Sequence, residues 1–289
     1  MKRRLHSSLL GFLKNACTHA SQLDREILLT PFMVGDLSLG WLRPSFADAL
    51  RRWPHVFAFT QDTVTLRPDT PESRTVALDM VTRELEKEGA IRGWREEPVT
   101  ISHHYCAPEL FRIERSATRH FGLFAYASHL NGLTLRDDEL HVWIARRSAA
   151  KAVDPNHLDN LVGGRIAAGF TVEETMRKEA WEEAGISAAM MAPVKCAGAV
   201  RVEYTVPEGL HREIIFVHDL WLPEDFAPAN QDGEVAALYC LPVAEAIEAI
   251  LAGEFTLDAG AVMVECLVRN GIMQPEDPEY LDMVRLLRP

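Results

Sequence analysis

Apolar residues recur at spacings of three and four over residues 72–88, through Val76, Met80, Val81 and Leu85, and Gly89 closes the run. That period predicts a helix with one buried face, and a glycine just past the last apolar position is a common C-cap. The first 25 or so residues repeat the pattern, with Leu5, Leu9, Leu10, Leu13 and Ala16 on one side. Residues 44–52 predict a short helix that Pro54 ends, whereas 31–42, punctuated by glycines, read as short extended pieces. Residues 55–66 read as two strands around a Gln61-Asp62 turn. From Phe111 onward short apolar runs alternate with turns, and FRIER, HFGLFAYASHLNGLTL and LHVWIAR lead as strands to a carboxylate-rich helix. After it come PVKCAGAVRVEYTV and EIIFVHDLWL as strands, a further strand, and helices from about Val243, over 259–270 and over 278–287. Strands on both sides of a central helix predict an α/β (α+β) sandwich rather than a repeating βαβ unit. The composition shifts around residues 93–101, which divides the chain into a smaller α+β domain over 1–110 and a larger one over 111–289.

The chain of 289 residues has room for one large or two modest domains. Its 47% hydrophobic and 25% charged residues are ordinary for a globular protein. A formal net charge of -12 argues against non-specific nucleic-acid binding, which needs a basic surface. A small phosphorylated substrate stays open, because a bound metal inverts the local field. Five scattered cysteines without a CxxC suggest neither a zinc module nor a disulfide framework, and predict a reduced, cytoplasmic protein. No apolar run approaches the ~20 residues of a membrane span. The apolar part of the start, Leu9 to Leu13, is short and runs into Lys14 and Asn15, which favours an amphipathic helix over a signal peptide.

The chemistry concentrates in residues 163–186, GGRIAAGFTVEETMRKEAWEEAGI. Thr171 and Glu174 form a capping box, and Gly185 falls where a C-cap glycine is expected. Between them Glu179, Glu182 and Glu183 stand at i, i+3 and i+4 and project from one face. Val172, Met176, Ala180 and Ala184 form an adjacent stripe that can dock on a sheet. Crowded carboxylates suit a hard divalent cation such as Mg²⁺. They equally suit a solvated face with Arg177 and Lys178 as counter-charges, and the spacing by itself leaves both readings open.

The whole stretch resembles the Nudix box, G-x5-E-x7-R-E-U-x-E-E-x-G-U with U a bulky aliphatic residue. Gly164 matches its first glycine, and Glu179, Glu182, Glu183, Gly185 and Ile186 match its second half. Phe170 stands in place of the first Glu, Lys178 in place of Arg, and Ala180 in place of the first U. Lys178 keeps the charge but lacks the bidentate fork that would orient Glu179. The resemblance implies a Nudix α/β/α sandwich with Mg²⁺, or Mn²⁺, held by Gly164, Glu179, Glu182 and Glu183. It implies water activation by Glu182 or Glu183, with Lys178 supporting Glu179, while Phe170 puts the number of metals in doubt. Residues 31–57, 73–97, 118–132 and 145–169 also resemble the Nudix subgroup labelled as related to thiamine pyrophosphokinase, which carries an extra N-terminal domain. That likeness implies hydrolysis of thiamine diphosphate or its damaged analogues, with release of phosphate. Kinase chemistry is not expected, because no P-loop is present. Two alternatives stand beside this: hydrolysis of a nucleoside diphosphate derivative or nucleotide sugar, and a binding protein with weakened catalysis. The implied partner is a small diphosphate, with no nucleic acid or membrane, and a homodimer is left open.

Outside the box, Glu234 in QDGEV is the candidate for a general base or extra ligand, against an equal reading as a plain loop carboxylate. Arg146, Arg147, Arg165 and Lys151 lie near the box in sequence and would meet phosphates or simply water. Trp41, Trp53, Trp94 and Phe57 could stack on a cationic ring, although a core role is the more common one for aromatics. HHYC, residues 103–106, collects metal-ligand residue types but has no second cluster, and reads as strand packing. Asp159 and Asn160 either place polar groups near a substrate or cap a turn.

Overall fold

The computed structural model describes residues 2–18 and 28–288, with side chains from Leu9 onward. The first helix, α1 (Lys2–Ala16), buries Leu9, Leu10, Leu13 and Ala16 as its period predicts. The part of that prediction covering residues 19–25 lies outside the described residues. The chain then builds an N-terminal unit from β1 (Thr30–Val34), β2 (Leu37–Leu42), α2 (Pro44–Leu50), β3 (Phe57–Phe59), β4 (Val64–Leu66) and α3 (Pro71–Lys87). The strands form a sheet in the order β2-β1-β4-β3. Pro44 opens α2, where a missing N–H costs nothing, and Thr70 with Ser73 forms a capping box on α3.

Helix α3 is rotated from the face expected of it. Val76 is 70% exposed and Met80 38%, while Leu78, Val81, Thr82 and Leu85 are buried. The i, i+3, i+4, i+7 set beginning at Leu78 faces the sheet, and it tolerates Thr82 because that hydroxyl donates to Leu78 O at 2.8 Å. Strands β5 (Pro98–Ile101) and β6 (Phe111–Glu114) pair as an antiparallel hairpin. Phe111 and Ile113 of the hairpin, with Phe121 and Leu123, pack into the first core. That core therefore continues past residue 110, and Phe32 meets Phe121 edge-on at 5.1 Å.

The rest of the chain comprises α4 (Thr118–Phe121), β7 (Ala125–Arg136), β8 (Glu139–Arg147), β9 (Leu158–Asn160), β10 (Val162–Arg165), α5 (Val172–Ala184), α6 (Ala188–Met191), β11 (Cys196–Val206), β12 (Gly209–Trp221), β13 (Val235–Pro242), α7 (Val243–Leu251), α8 (Leu257–Arg269) and α9 (Tyr280–Leu287). The main path of its sheet is β11-β12-β7-β8-β13, with β10 on β7 and β9 on β8. Strand β7 pairs with β12 on one edge and on the other serves two partners, β10 over Ala127–Leu130 and β8 over Gly132–Arg136. One sheet face is covered by α7, α8, α9 and α1, and the other by α5 and α6. The result is a mixed α/β sandwich with a smaller α+β region attached.

Segment 121–123, part of the first core, meets β2 backbone to backbone. A Cβ on Gly40 would stand 2.2 Å from Phe121 O, and one on Gly122 would stand 2.4 Å from Trp41 O. Arg212 of β12 reaches across to Leu39 O at 3.4 Å and Gly122 O at 2.9 Å while pairing with Glu203 at 3.0 Å.

Candidate active site

Helix α5 begins and ends as its sequence requires. Thr171 and Glu174 cap each other at 3.2 and 2.9 Å, and Gly185 ends the helix at φ 66°. Its buried residues are Thr175, Met176, Ala180, Glu183 and Ala184. Glu183 is thus inside the protein, not on a solvated face beside Glu182. Docking on β10 turns this side chain inward, where its Oε2 accepts the Gly163 N–H at 2.9 Å. Burial pushes the Glu183 carboxyl up to about 8, against the downward pull of that amide and of Lys151. Glu179 is likewise raised, first by burial, with Lys178 pulling the other way. Lys178 spans Glu179 at 3.2 Å and Glu182 at 2.7 Å. Gly164 lies so close to the helix that an added Cβ would stand 2.3 Å from Glu179 Cγ. Phe170, at the position of the first acidic residue of the box, is 48% exposed.

Gly163 and Gly164 form one wall of a cleft of about 580 Å³. The N-terminal unit supplies further lining, through Gly89, Ala90, Arg92, Gly93, Arg95 and Arg115, and β10 adds Arg165. Among the sequence candidates, Arg147 and Arg165 line this cleft together with Asp159. Arg147 pairs with Asp159 at 2.8 Å and Arg165 with Glu213 at 2.8 Å. Arg146 instead donates to Asn156 O at 2.8 Å and does not line the cleft. Lys151 lies 4.0 Å from Glu183 Oε1 and is hydrogen-bonded to Glu234. Glu234 also faces Arg95 at 3.5 Å. Burial would raise its carboxyl, but Lys151, then Arg95 and Arg115, hold it below the usual range.

Other candidates fall elsewhere. Trp53 and Phe57 are buried in the first core, Trp94 lies under Arg83 at 4.9 Å, and Trp41 packs on Leu29 and Leu210. None of the four lines the cleft. HHYC forms a turn between β5 and β6, not a strand, with His103 and His104 exposed and the Tyr105 ring 4.7 Å from that of Phe216. Asn160 is a buried structural amide that bonds His129 and Asn131 at 2.8 and 3.1 Å.

The sequence reading missed Arg95, Arg115 and Arg119 from the first region, and a polar node of His211, Glu213 and Asp258. Among the described residues, this node is the group of His and acidic side chains whose ligand atoms lie within 4.8 Å of one another. Arg119 Nε donates to His211 Nδ1 at 3.1 Å, which leaves the ring proton on Nε2, 3.1 Å from Asp258 Oδ2. The Tyr204 hydroxyl donates to Asp258 Oδ1 at 3.2 Å. Arg165 pairs with Glu213 and Arg119 adds its field to Asp258, and all three residues of the node line the cleft. One signal was legible: His211 and Glu213 alternate with Arg212 just before the apolar run 214–217.

A carboxylate-bearing helix against a glycine-glycine strand, at the edge of an arginine-lined cleft in an α/β sandwich, defines a pyrophosphohydrolase of the Nudix class. Residues 125–261 match the family model described as the NUDIX domain, and residues 11–125 match one described as a domain of unknown function (DUF4743). The chain belongs to the Nudix hydrolase family. It is 36% identical to Nudix hydrolase 24, chloroplastic, of Arabidopsis thaliana, covering 98% of this chain and 79% of that protein. Nudix hydrolase 20, chloroplastic, of the same plant is 34% identical over 98% of this chain and 79% of its own length. The crystal structure of DR0079 from Deinococcus radiodurans is similar at a TM-score of 0.45 and 22% identity, covering 59% of this chain and 99% of that one. Nudix hydrolases use a divalent metal and act on small diphosphates.

Proposed function

We propose that this chain is a Mg²⁺-dependent hydrolase that splits the diphosphate of thiamine diphosphate or of its damaged analogues, releasing phosphate and leaving a monophosphate. The observation that carries the reading is the seating of Glu183 and Glu179 against Gly163 and Gly164, which line a cationic cleft, with Glu182 joined to Glu179 through Lys178. The volume of about 580 Å³ suits a small molecule. The likeness of four stretches of the chain to the thiamine-related Nudix subgroup supplies the substrate.

The residues fit a divalent cation. All the donors are oxygens, as Mg²⁺ requires and Mn²⁺ accepts. An ammonium, that of Lys178, already bridges two of the carboxylates. Burial raises the Glu179 and Glu183 carboxyls, a cost that a bound cation would offset. Glu179, Glu182, Glu183 and the Gly164 carbonyl would hold the ion, which supplies charge neutralisation at the phosphates and a more acidic water. Glu183 fixes the Gly163 amide, and with it the strand that borders the substrate. Lys178 holds Glu179 and Glu182 in place, and Arg147 and Arg165 present guanidinium groups to the phosphate chain. Because the four aromatic candidates lie outside the cleft, recognition of the organic part falls to polar groups such as Asp258 and Glu213.

The test is phosphate release from a panel holding thiamine diphosphate, its oxidised forms, nucleoside diphosphate derivatives and nucleotide sugars. Each is run with Mg²⁺, with Mn²⁺ and with EDTA. Release from the thiamine compounds in either metal, abolished by EDTA, is expected. Release confined to the nucleotides would overturn the substrate, and full turnover in EDTA would overturn the mechanism.

A further inference from the structure

Glu234 ends the loop that leads into β13, and its carboxylate meets cations from both halves of the chain. Lys151 bonds its Oε2, and Arg95 Nη1 lies 3.5 Å from its Oε1. Arg115, itself paired with Glu97, adds its field to the same carboxylate. Arg95 is held in place because its own N–H and that of Glu97 donate to buried Glu114 at 3.2 and 3.0 Å. The glutamate loop is anchored as well, since Gln231 N–H donates to Glu182 O at 2.7 Å and Ala229 N–H to Ala184 O at 3.0 Å. Lys151 Nζ is 4.0 Å from Glu183 Oε1, so these cations converge beside the carboxylates of α5. Arg95 and Arg115 line the same cleft as Gly163 and Gly164.

Two cations, Lys151 and Arg95, face this one carboxylate, with Arg115 adding its field. Guanidinium and ammonium groups on a single oxyanion are also how phosphates are held. We propose that Lys151 and Arg95, supported by Arg115, form an anion subsite for the substrate's phosphate chain, and that Glu234 competes for it as an internal anion. The subsite spans both regions of the chain, which gives the N-terminal unit a direct part in substrate binding. Displacement needs no backbone movement: 40% of the Glu234 side chain is exposed, so it can turn into water as a phosphate enters. This inference rests on the diphosphate-hydrolase reading, and it gives Glu234 a role other than that of general base.

The experiment is calorimetric titration of the full chain with imidodiphosphate, with and without Mg²⁺, beside turnover measured against substrate concentration. Glu234→Gln removes the competing charge and should tighten imidodiphosphate about three- to fivefold, and it should raise turnover at low substrate. Arg95→Ala should weaken imidodiphosphate by a similar factor, and Arg95→Lys should recover part of the loss. Unchanged or weaker binding in Glu234→Gln, or unchanged binding in Arg95→Ala, overturns the subsite. Loss of turnover at saturating substrate in Glu234→Gln overturns the competitor role and makes Glu234 part of the chemical step. If the binding changes follow charge while the wild type hydrolyses no diphosphate, the subsite stands and the hydrolase reading fails.

Discussion

Glu182 and Glu183 are neighbours in sequence with different surroundings, and substitutions can separate them. Glu182 is one-third exposed beside Lys178, whereas buried Glu183 carries the Gly163 amide. Replacing either by Gln should cut turnover about a hundredfold, a common loss when an electrostatic element of the transition state goes. Replacement by Ala should then distinguish their structural roles in EDTA melts. Glu183→Ala strands a buried N–H and should cost roughly 1–3 kcal/mol, while Glu182→Ala and Glu183→Gln should melt near wild type. Equal melts for the two Ala variants would mean that Glu183 holds nothing. Gly164→Ala tests the same contact from the other side. Its Cβ, 2.3 Å from Glu179 Cγ, must displace that carboxylate, so turnover should fall at least tenfold in a folded protein. The i, i+3, i+4 spacing made the three acids readable as a group. The inward turn of Glu183 was not readable, because it depends on β10, a partner that no helical period encodes.

At the scale of elements, α5 was legible at both ends because capping is local chemistry written within a few residues. Thr171→Ala should therefore lower stability by about 1 kcal/mol and leave kcat close to wild type, the converse of Gly164→Ala. A large loss of kcat at unchanged stability would mean that Thr171 acts on the chemistry and not on the helix end. Helix α3 shows where the same reasoning stops. Its existence and limits followed from the period and from Gly89, yet Val76 and Met80 proved exposed. Two overlapping i, i+4 sets were available, and the sheet beneath the helix selected the one with Thr82, whose hydroxyl is satisfied within the helix. The cleft was hidden for a related reason. Arg95 and Arg115 lie far in sequence from residues 163–186, and the contacts that bring them there are long-range.

At the scale of the molecule, Asp219 of β12 ties the sheet to the end of α8 through Arg269 and Asn270, and to β7 through Asn131 at 3.1 Å. Burial would raise its carboxyl, but these hydrogen bonds hold it below the ordinary value of 3.8. A depressed acid gives stability that is present above its unfolded pKa and lost as pH falls through the folded one. Asp219→Asn should accordingly cost roughly 2 kcal/mol at pH 7, with the gap to wild type closing below about pH 4. Urea melts across that range check it, and a gap independent of pH would show that charge is not involved. The α/β layers were legible from alternating runs and turns, whereas the seating of segment 121–123 on β2 was not, since it depends on the lack of a Cβ at Gly40 and Gly122. Those two glycines act as a rivet. Main chain touches main chain there, with no side-chain cushion to slide upon, so the stretch that leads out of the N-terminal unit is pinned to that unit's own sheet. Heating should melt both halves in one calorimetric peak with matching van't Hoff and calorimetric enthalpies. Gly40→Ala should lower the temperature of that peak or abolish folding, because the N-terminal unit would lose the joint that seats its outgoing chain on β2.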